Sequence, residues 1–519
     1  MKKWLHMFLI LAILAAACGQ QGAQGSDAGK DDGAVPELAA SYPEFGKFHS
    51  VDVTWFEQGW TGIDTSIDII TPEIERKTNL WMNYIGLNTP TEDDYNQKLN
   101  LMVASNDVPE VFFGGSNAYT RLIYEKLGQA GQIWELGEIV KDYPLLYDLV
   151  EPELNLYRTE DGKNYFIPTQ TGRGYEIVNE PPHGLYLRQD FLDMLGMDLP
   201  TNAEELYDFL KASKDLVIDG QPVTPFLLGE NLGGLAGLMD LFIPLMGRQD
   251  SSGLPFDTQD NYKVKNYYYT NSPELLEAAQ YVNKISREGL FDREALTIKQ
   301  AQFLEKGSSG YVAAFSGSWW DMNTFADALK PEFPDIFWVN PGPIYSSSEV
   351  RASRMQPWTH WVGCWSSIII SKSIDEETLR HFLATLDWFG TQEGQMLVQV
   401  GIEGETYTWD DEGKYVFTPE FLEKTGDLDW NKAAAYGVGY YAQLVNNTPM
   451  LVDYRDIPSA LQREDNMANW QLSLEWWNLF DSDMEPTKDY YFVPGPVENE
   501  KFPAIRDAQL EFLAKVVAA

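Results

Sequence analysis

Beyond Phe48 the chain alternates short β-like runs with amphipathic helical runs, and that alternation narrows its possible folds more than any other feature. Val51-Asp52-Val53-Thr54-Trp55-Phe56 alternates as a strand, and Leu80-Trp81-Met82-Asn83-Tyr84-Ile85 reads as a second. Between them, Ile69 to Thr78 spells a helix opened by Thr71-Pro72-Glu73, with proline expected at its first position, where no N–H is needed. Tyr95 to Ala104 is another helix, and Val111-Phe112-Phe113 is a strand that runs into Gly114-Gly115-Ser116. The pattern is that of an α/β protein.

The same grammar continues further along. Thr201-Asn202-Ala203-Glu204, behind Pro200, has the form of a capping box opening a helix with Leu206, Phe209 and Leu210 on one face. Ser272-Pro273-Glu274 opens a helix whose Leu276, Ala279, Val282 and Ile285 form an apolar stripe. Tyr311-Val312-Ala313-Ala314-Phe315 reads as a buried strand leading into Trp319-Trp320, and Ser366 to Ser371 as another, followed by a helix from Asp375 that buries Leu379, Phe382, Leu383 and Leu386. A chain of 519 residues exceeds what one hydrophobic core organises, so more than one domain is expected.

Charge excludes some partners. With 38 basic and 78 acidic residues the net charge is −40, a field that repels nucleic-acid backbones and anionic headgroups, so no nucleic-acid partner is expected. Aromatic residues are abundant, 17 Trp, 27 Tyr and 26 Phe, enough to fill cores and still furnish a recognition surface.

The first residues address the chain. Lys2 and Lys3 precede an apolar stretch from Leu5 to Ala17, shorter than the ~20 residues a membrane-spanning helix needs. Ala15-Ala16-Ala17-Cys18-Gly19 resembles the lipobox of bacterial lipoproteins, with Ala15 where leucine is usual. That resemblance implies a signal peptide over 1–17, lipidation at Cys18, and a location outside the cytoplasm on the outer face of the cell membrane. Residues 18–46 are rich in Gly, Ala, Gln and Asp without apolar period and read as a tether. With Cys18 lipidated, Cys364 is the one remaining cysteine, in the apolar run Trp361-Val362-Gly363-Cys364-Trp365, and reads as a buried small hydrophobe.

Enzyme and metal signatures are missing from the sequence. It contains no G-x-S-x-G elbow, no P-loop and no zinc spacing among His6, His49, His183, His360 and His381. Asp427-Leu428-Asp429-Trp430-Asn431 begins like a calcium loop but has Lys432 where the turn glycine belongs, so it reads as an acidic loop. No metal or cofactor is expected. Glycoside hydrolysis needs only two suitably spaced carboxylates, which keeps a glycoside hydrolase or lyase as the alternative class; Glu403 and Glu405 are the pair to watch. A receptor for peptide or another non-sugar solute is a third.

Three stretches carry a family resemblance. Asp161-Gly162-Lys163-Asn164-Tyr165-Phe166-Ile167-Pro168 is similar to the "DGKxYxxP" element of the family 1 extracellular solute-binding proteins that feed ABC importers. Leu185 to Met197, followed by Pro200-Thr201, resembles that family's "YxRxDWLDKLGL…PTT" run, with Phe191 where tryptophan is usual. Gly401-Ile402-Glu403-Gly404-Glu405-Thr406-Tyr407 resembles the "GIEGxxY" element of oligosaccharide-binding lipoproteins. The resemblance implies a two-lobed periplasmic-binding-protein type II fold, with discontinuous lobes around a central cleft. The expected lobes are 47–168 with 340–402, and 169–339 with 403–519. It further implies a working monomer that captures an oligosaccharide by hinge closure and delivers it to ABC permease subunits, without catalysis.

Candidate ligand contacts follow from the strand ends, where open α/β sheets bind their ligands. Glu57 and Trp60 follow the first strand, and Ser116 and Asn117 the third. Gln170 and Arg173 come just after the first expected crossing between lobes; Arg173 would pair either with a sugar carboxylate or with a hinge acid. Trp358 and Trp361 precede the returning strand, and Glu403 and Tyr407 stand at the second expected crossing. Trp319 and Trp320, adjacent on an extended segment, are expected to face opposite ways. The segment resembles the tryptophan segment of maltose-binding-type members, which implies Trp319 toward the ligand and Trp320 toward the lobe interior, with Asp321 capping the next helix.

Overall fold

The computed structural model describes residues 37–57, 62–89, 92–115, 118–159, 162–171, 184–228, 256–257, 263–264, 273–334, 336–341, 364–411, 413–426, 428–445, 465–469 and 471–472, and, near the end, 501, 504, 508, 511–512 and 514–518. The signal peptide, Cys18 and the tether up to residue 36 lie outside them.

The first part of the chain runs β1 (His49–Glu57), α1 (Ile70–Thr78), β2 (Leu80–Asn88), α2 (Glu92–Ser105), β3 (Val111–Gly115), α3 (Ala118–Gln129), α4 (Pro144–Leu156) and β4 (Ile167–Thr171). A second part runs β5 (Gly184–Arg188), α5 (Gln189–Leu195), α6 (Ala203–Ser213), β6 (Thr224–Leu228), α7 (Pro273–Arg287), α8 (Gln300–Gly307), β7 (Val312–Gly317), α9 (Trp319–Leu329) and β8 (Trp338–Val339). A third part adds β9 (Cys364–Ile370), α10 (Glu376–Phe389), α11 (Gln392–Gln399) and the hairpin β10 (Tyr407–Trp409) and β11 (Tyr415–Phe417).

Two sheets result. The first has the order β2-β1-β3-β9-β4, with β1 parallel to β2 and β3, and β9 antiparallel to both β3 and β4. The second has the order β8-β5-β7-β6, with β7 parallel to β6 and antiparallel to β5. Because successive side chains of a strand face opposite ways, each sheet feeds two cores. In the first, Val111, Phe113, Ile368 and Ile370 join one buried cluster while Phe112 and Ile369 join another. In the second, Leu185 and Leu187 face one cluster and Tyr186 the other, and Phe226 and Leu228 alternate with Leu227 in the same way. Strands buried on both faces explain the near-continuous apolar runs of the sequence. None of these four clusters mixes residues of the two sheets, which is the packing signature of two lobes.

Among the described residues the aromatics lie largely inside. Trp55, Trp338 and Trp388 are each 1% exposed. Each such indole withdraws ~150–250 Å² from water, worth roughly 4–6 kcal/mol at ~25 cal/mol per Å² as an upper bound.

Three local expectations are corrected. Helix α1 starts at Ile70, so Pro72 is its third residue, still within the first turn, where its missing N–H costs nothing. The cap of α6 is Asn202, whose side chain accepts from Glu205 N, while the Glu205 carboxylate reaches back to Thr201 N at 2.8 Å; the box sits one residue later than the sequence pattern indicated. On α7 the buried face is Ala278, Tyr281, Val282 and Ile285, and Leu276 stands 59% exposed, off that face.

The end of the first lobe is also shifted. Tyr407, Tyr415, Phe417, Phe421, Ala434, Tyr440 and Leu444 belong to the same buried cluster as Val53 and Phe382. The expected boundary at 403 is therefore too early: the chain after 402 keeps packing on the first sheet as far as Val445, since its aromatic hairpin finds its apolar partners there. The second lobe is completed instead by late residues, with Leu472, Phe512, Val516 and Val517 against its core.

Candidate ligand-binding cleft

Strand register assembles one edge of the first sheet. Trp55 pairs with Phe113, so β1 and β3 end side by side at Glu57 and Gly115. Gly115 lies opposite Ser366 of β9, and Ser366 and Cys364 lie opposite Thr169 and Thr171 of β4, with Gln170 between them. Residues more than 300 positions apart thus form one row: Glu57, Gly115, Ser366, Thr169. The second sheet has a matching edge, where Gly317 pairs with Gly184 and Ser316 with Leu228. The chain leaves the first edge at Thr171 and enters the second at Gly184, and leaves β8 toward the second edge to re-enter the first at Cys364. Both connections run between the same two edges, and strand ends of this kind are where open α/β sheets bind their ligands.

At the first edge, Glu57 is half-buried and accepts a hydrogen bond from the Tyr84 hydroxyl. Burial, the neighbouring Tyr440 and the Glu57 carboxylate all push the Tyr84 hydroxyl well above the ordinary tyrosine range, which keeps it a donor. Tyr84 in turn meets Tyr440 edge-to-face at 5.8 Å. A carboxylate held this way at a strand end keeps oxygen lone pairs for ligand hydroxyls.

Nearby, Gly115 O accepts from the Tyr124 hydroxyl at 2.7 Å and from Thr120 Oγ1 at 3.0 Å, and Tyr95 shares a 2.6 Å hydrogen bond with Tyr124. This buried hydroxyl cluster pins the last residue before Ser116 and Asn117. It also explains Gly114, since a Cβ there would overlap the Tyr95 hydroxyl.

At the second edge the tryptophan pair is placed differently from the expectation. Ser318 is the N-cap of α9, and Trp319 and Trp320 are its first two residues, so the pair is helical, not extended. Asp321 Oδ2 accepts from Ser318 N at 2.8 Å, as the cap reading held. Trp320 is 49% exposed, whereas Trp319 packs against the buried cluster of Phe315, Met322 and Phe325. The indoles touch edge-to-face at 5.5 Å rather than parting. Trp320 is therefore not in the lobe interior, and helical spacing sets Trp319 partly onto the lobe.

The remaining candidates divide. Glu403 is exposed and bridges to Tyr407, but Tyr407 itself is only 5% exposed, inside the first-lobe core, where burial and Glu403 raise its pKa. Trp60, Ser116, Asn117, Arg173, Trp358 and Trp361, and the side chain of Gln170, lie outside the described residues. Cys364 is buried at 6%, in keeping with the small-hydrophobe reading. Asp429 spends a carboxylate oxygen on Lys432 N at 3.0 Å, capping a short helix.

Comparison with known proteins gives the class of this architecture. No protein-family model matches the sequence. Among relatives, the lipoprotein LipO of Bacillus subtilis is 24% identical over 378 residues, 69% of this chain and 66% of LipO. The fructooligosaccharide ABC transporter substrate-binding protein FusA of Streptococcus pneumoniae is 23% identical over 311 residues, 56% of this chain and 53% of FusA. Each alignment spans less than two thirds of the relative's own length. Among solved structures, the alginate-binding protein AlgQ2 matches with a TM-score of 0.63 over 90% of both chains at 18% identity. FusA in complex with kestose matches with 0.55 over 91% of this chain and all of that one, at 15% identity. This chain has the fold of a solute-binding protein.

That fold explains the chain's motifs. In the "DGK" stretch, Gly162 (φ +80°) makes the turn closed by Thr159 and Lys163, and Asn164 Nδ2 donates to Leu154 O at 2.7 Å, delivering the chain into β4. Arg188, 1% exposed, is gripped by both Asp190 oxygens at 2.7 and 2.6 Å, donates to Gly310 O and covers the Phe191 ring at 4.3 Å. In the "GIEG" stretch, Gly401 (φ +101°) and Gly404 (φ +81°) turn around Thr406, whose hydroxyl donates to Val400 O and accepts from Ile402 N. Among the described residues, the motifs that carry the resemblance set turns and pin elements.

Proposed function

We propose that this chain is the substrate-capturing component of an ABC importer for an oligosaccharide, held outside the cytoplasm by a lipid on Cys18. The observation that carries the reading is the pair of strand-end edges joined by two chain crossings, one edge bearing Glu57 and the other the exposed Trp320. An indole offers a flat apolar face to a sugar ring, and a carboxylate offers acceptors to its hydroxyls, which must be paired once dry. FusA, whose name specifies fructooligosaccharide, and AlgQ2, whose name specifies alginate, support a saccharide ligand, and LipO supports the lipoprotein address. The chain works as a monomer, closes its lobes over the ligand at the crossings, and presents the closed form to permease subunits. It performs no catalysis.

A thermal-shift screen over plant and bacterial oligosaccharides tests this. A true ligand at 100 times its Kd stabilises by about 2.7 kcal/mol and is recovered intact. Cleavage of the stabilising sugar would establish the hydrolase or lyase alternative instead. Trp320→Ala is expected to weaken binding by ~1–3 kcal/mol with an unchanged melting temperature, and Trp319→Ala to lower the melting temperature first. The opposite assignment of the two effects overturns the outward platform.

A further inference from the structure

Tyr84 and Glu57 meet in a seat that the chain keeps clear of side chains. Tyr84 lies opposite Val53 in the β1–β2 register, so it stands on the same face of the sheet as Trp55 and Glu57. The next residue of β2 on that face is Gly86, opposite Trp55, and its missing side chain leaves the Tyr84 ring room to reach the Glu57 carboxylate. A Cβ built at Gly86 would stand 2.8 Å from both the Tyr84 hydroxyl and Glu57 Oε1, and one at Gly62 would overlap the same two atoms. Gly86 is strand backbone that any residue adopts, so the close approach alone calls for glycine there.

The hydroxyl protons in this seat have fixed directions. A carboxylate only accepts, so the Tyr84 proton goes to Oε1, and the Tyr84 oxygen is left to accept from Tyr440, its other hydrogen-bond neighbour. Tyr440 is 1% exposed and packs on Trp55 with ring centroids 4.6 Å apart. Oε1 is thus held from inside the lobe. Oε2 meets no donor among the described residues, and Glu57 is only half-buried at the strand end. One oxygen is fixed and the other is open.

We propose that Tyr84 is the positioning residue of the ligand site, seating Glu57 so that Oε2 is a preformed acceptor for the hydroxyls of the bound oligosaccharide. This rests on the oligosaccharide reading and names what gives its carboxylate one geometry. A glutamate free to turn about its side-chain bonds loses that freedom when it takes up a ligand, which weakens binding; one already seated on Tyr84 has lost it on folding. Tyr440, behind Tyr84, ties the seat to the late chain that completes the first lobe, so β2 and that late chain both act on the ligand through Glu57.

Calorimetry on the full chain tests this with kestose, maltotriose, cellotriose, trigalacturonate and any tighter binder from the thermal-shift panel, the tightest serving as the probe for every variant. Glu57→Ala is expected to weaken that probe about 10–100-fold, and Tyr84→Phe, which removes only the hydroxyl, about five- to tenfold. The double variant decides between roles. On the Glu57→Ala background Tyr84→Phe is expected to change affinity less than about twofold, because a positioning residue has nothing left to position. Gly86→Ala removes no polar group but drives the tips of Tyr84 and Glu57 apart, and is expected to weaken the probe as Tyr84→Phe does. An equal loss from Tyr84→Phe with and without Glu57 makes Tyr84 structural and overturns the proposal. Unchanged affinity in Tyr84→Phe, or in Gly86→Ala should Tyr84→Phe fail to fold, overturns it too, and both results leave oligosaccharide capture standing. Failure of every saccharide to bind overturns the oligosaccharide reading and the proposal together.

Discussion

Two histidines separated by 332 positions face each other through Nδ1 atoms 2.8 Å apart, His49 at the start of β1 and His381 within α10. The other nitrogen of His381 lies 2.7 Å from Thr78 O, and a carbonyl only accepts, so that Nε2 carries the proton. Neutral His381 then accepts at Nδ1 from His49. Burial, with the neighbouring His49 adding to it, lowers the His381 pKa from 6.5 to about 4, against the opposing pull of Thr78 O and Glu377. Lys47 and Asp375 are the other charged groups around the pair, Lys47 bound to Glu377 at 2.7 Å. As pH falls the unfolded chain takes up this proton first, so the stability is present above pH 6.5 and is lost as pH drops through about 4. The span is worth about 3 kcal/mol at ~1.36 kcal/mol per pH unit. His381→Phe should flatten the pH dependence of urea unfolding between these limits, and parallel curves for both proteins would remove His381 as its source. No sequence pattern joins these two residues; scattered histidines were all that could be read.

At the scale of elements, the stretches most recognisable in the chain hold connections. Arg188 and Asp190 show it: a fully buried guanidinium spans β5, the Gly310 turn and the first turn of α5. Removing one partner of such a pair leaves a buried charge uncompensated, so Asp190→Ala should destabilise the second lobe by about 3 kcal/mol while ligand affinity in the surviving folded protein stays unchanged. A loss of affinity without loss of stability, measured by calorimetry beside thermal unfolding, would place this pair in ligand contact instead. Helices and strands were legible here because their signals are local: Asn202, Asp375 and Thr418 each cap within three residues of themselves. The tryptophan pair was misjudged for the converse reason. Ser318 and Asp321 already formed a capping pattern, but the strand before them was allowed to run on, which sets two adjacent indoles to opposite faces instead of about 100° apart on a helix.

For the molecule as a whole, two lobes with separate cores are what the proposed closure requires. On binding its ligand the protein is expected to contract, read as a fall in the radius of gyration by X-ray scattering; an unchanged radius with a bound ligand would mean that capture proceeds without closure. The first lobe carries more of the late chain than expected, because Tyr407, Tyr415 and Phe417 complete its apolar layer. The exact boundary of each lobe follows from where such late aromatics find partners.

The sequence by itself determined the α/β class, most helices and strands, the family resemblance, and the strand ends as the place to look for a ligand. Those rest on periodicity, caps and motifs that act over a few residues. Only the tertiary structure decided that Trp320 is exposed, that Tyr407 is core, and that His49 meets His381. Burial and pairing are settled by residues that may be hundreds of positions away, and nothing in the local chain records them until the sheets have formed.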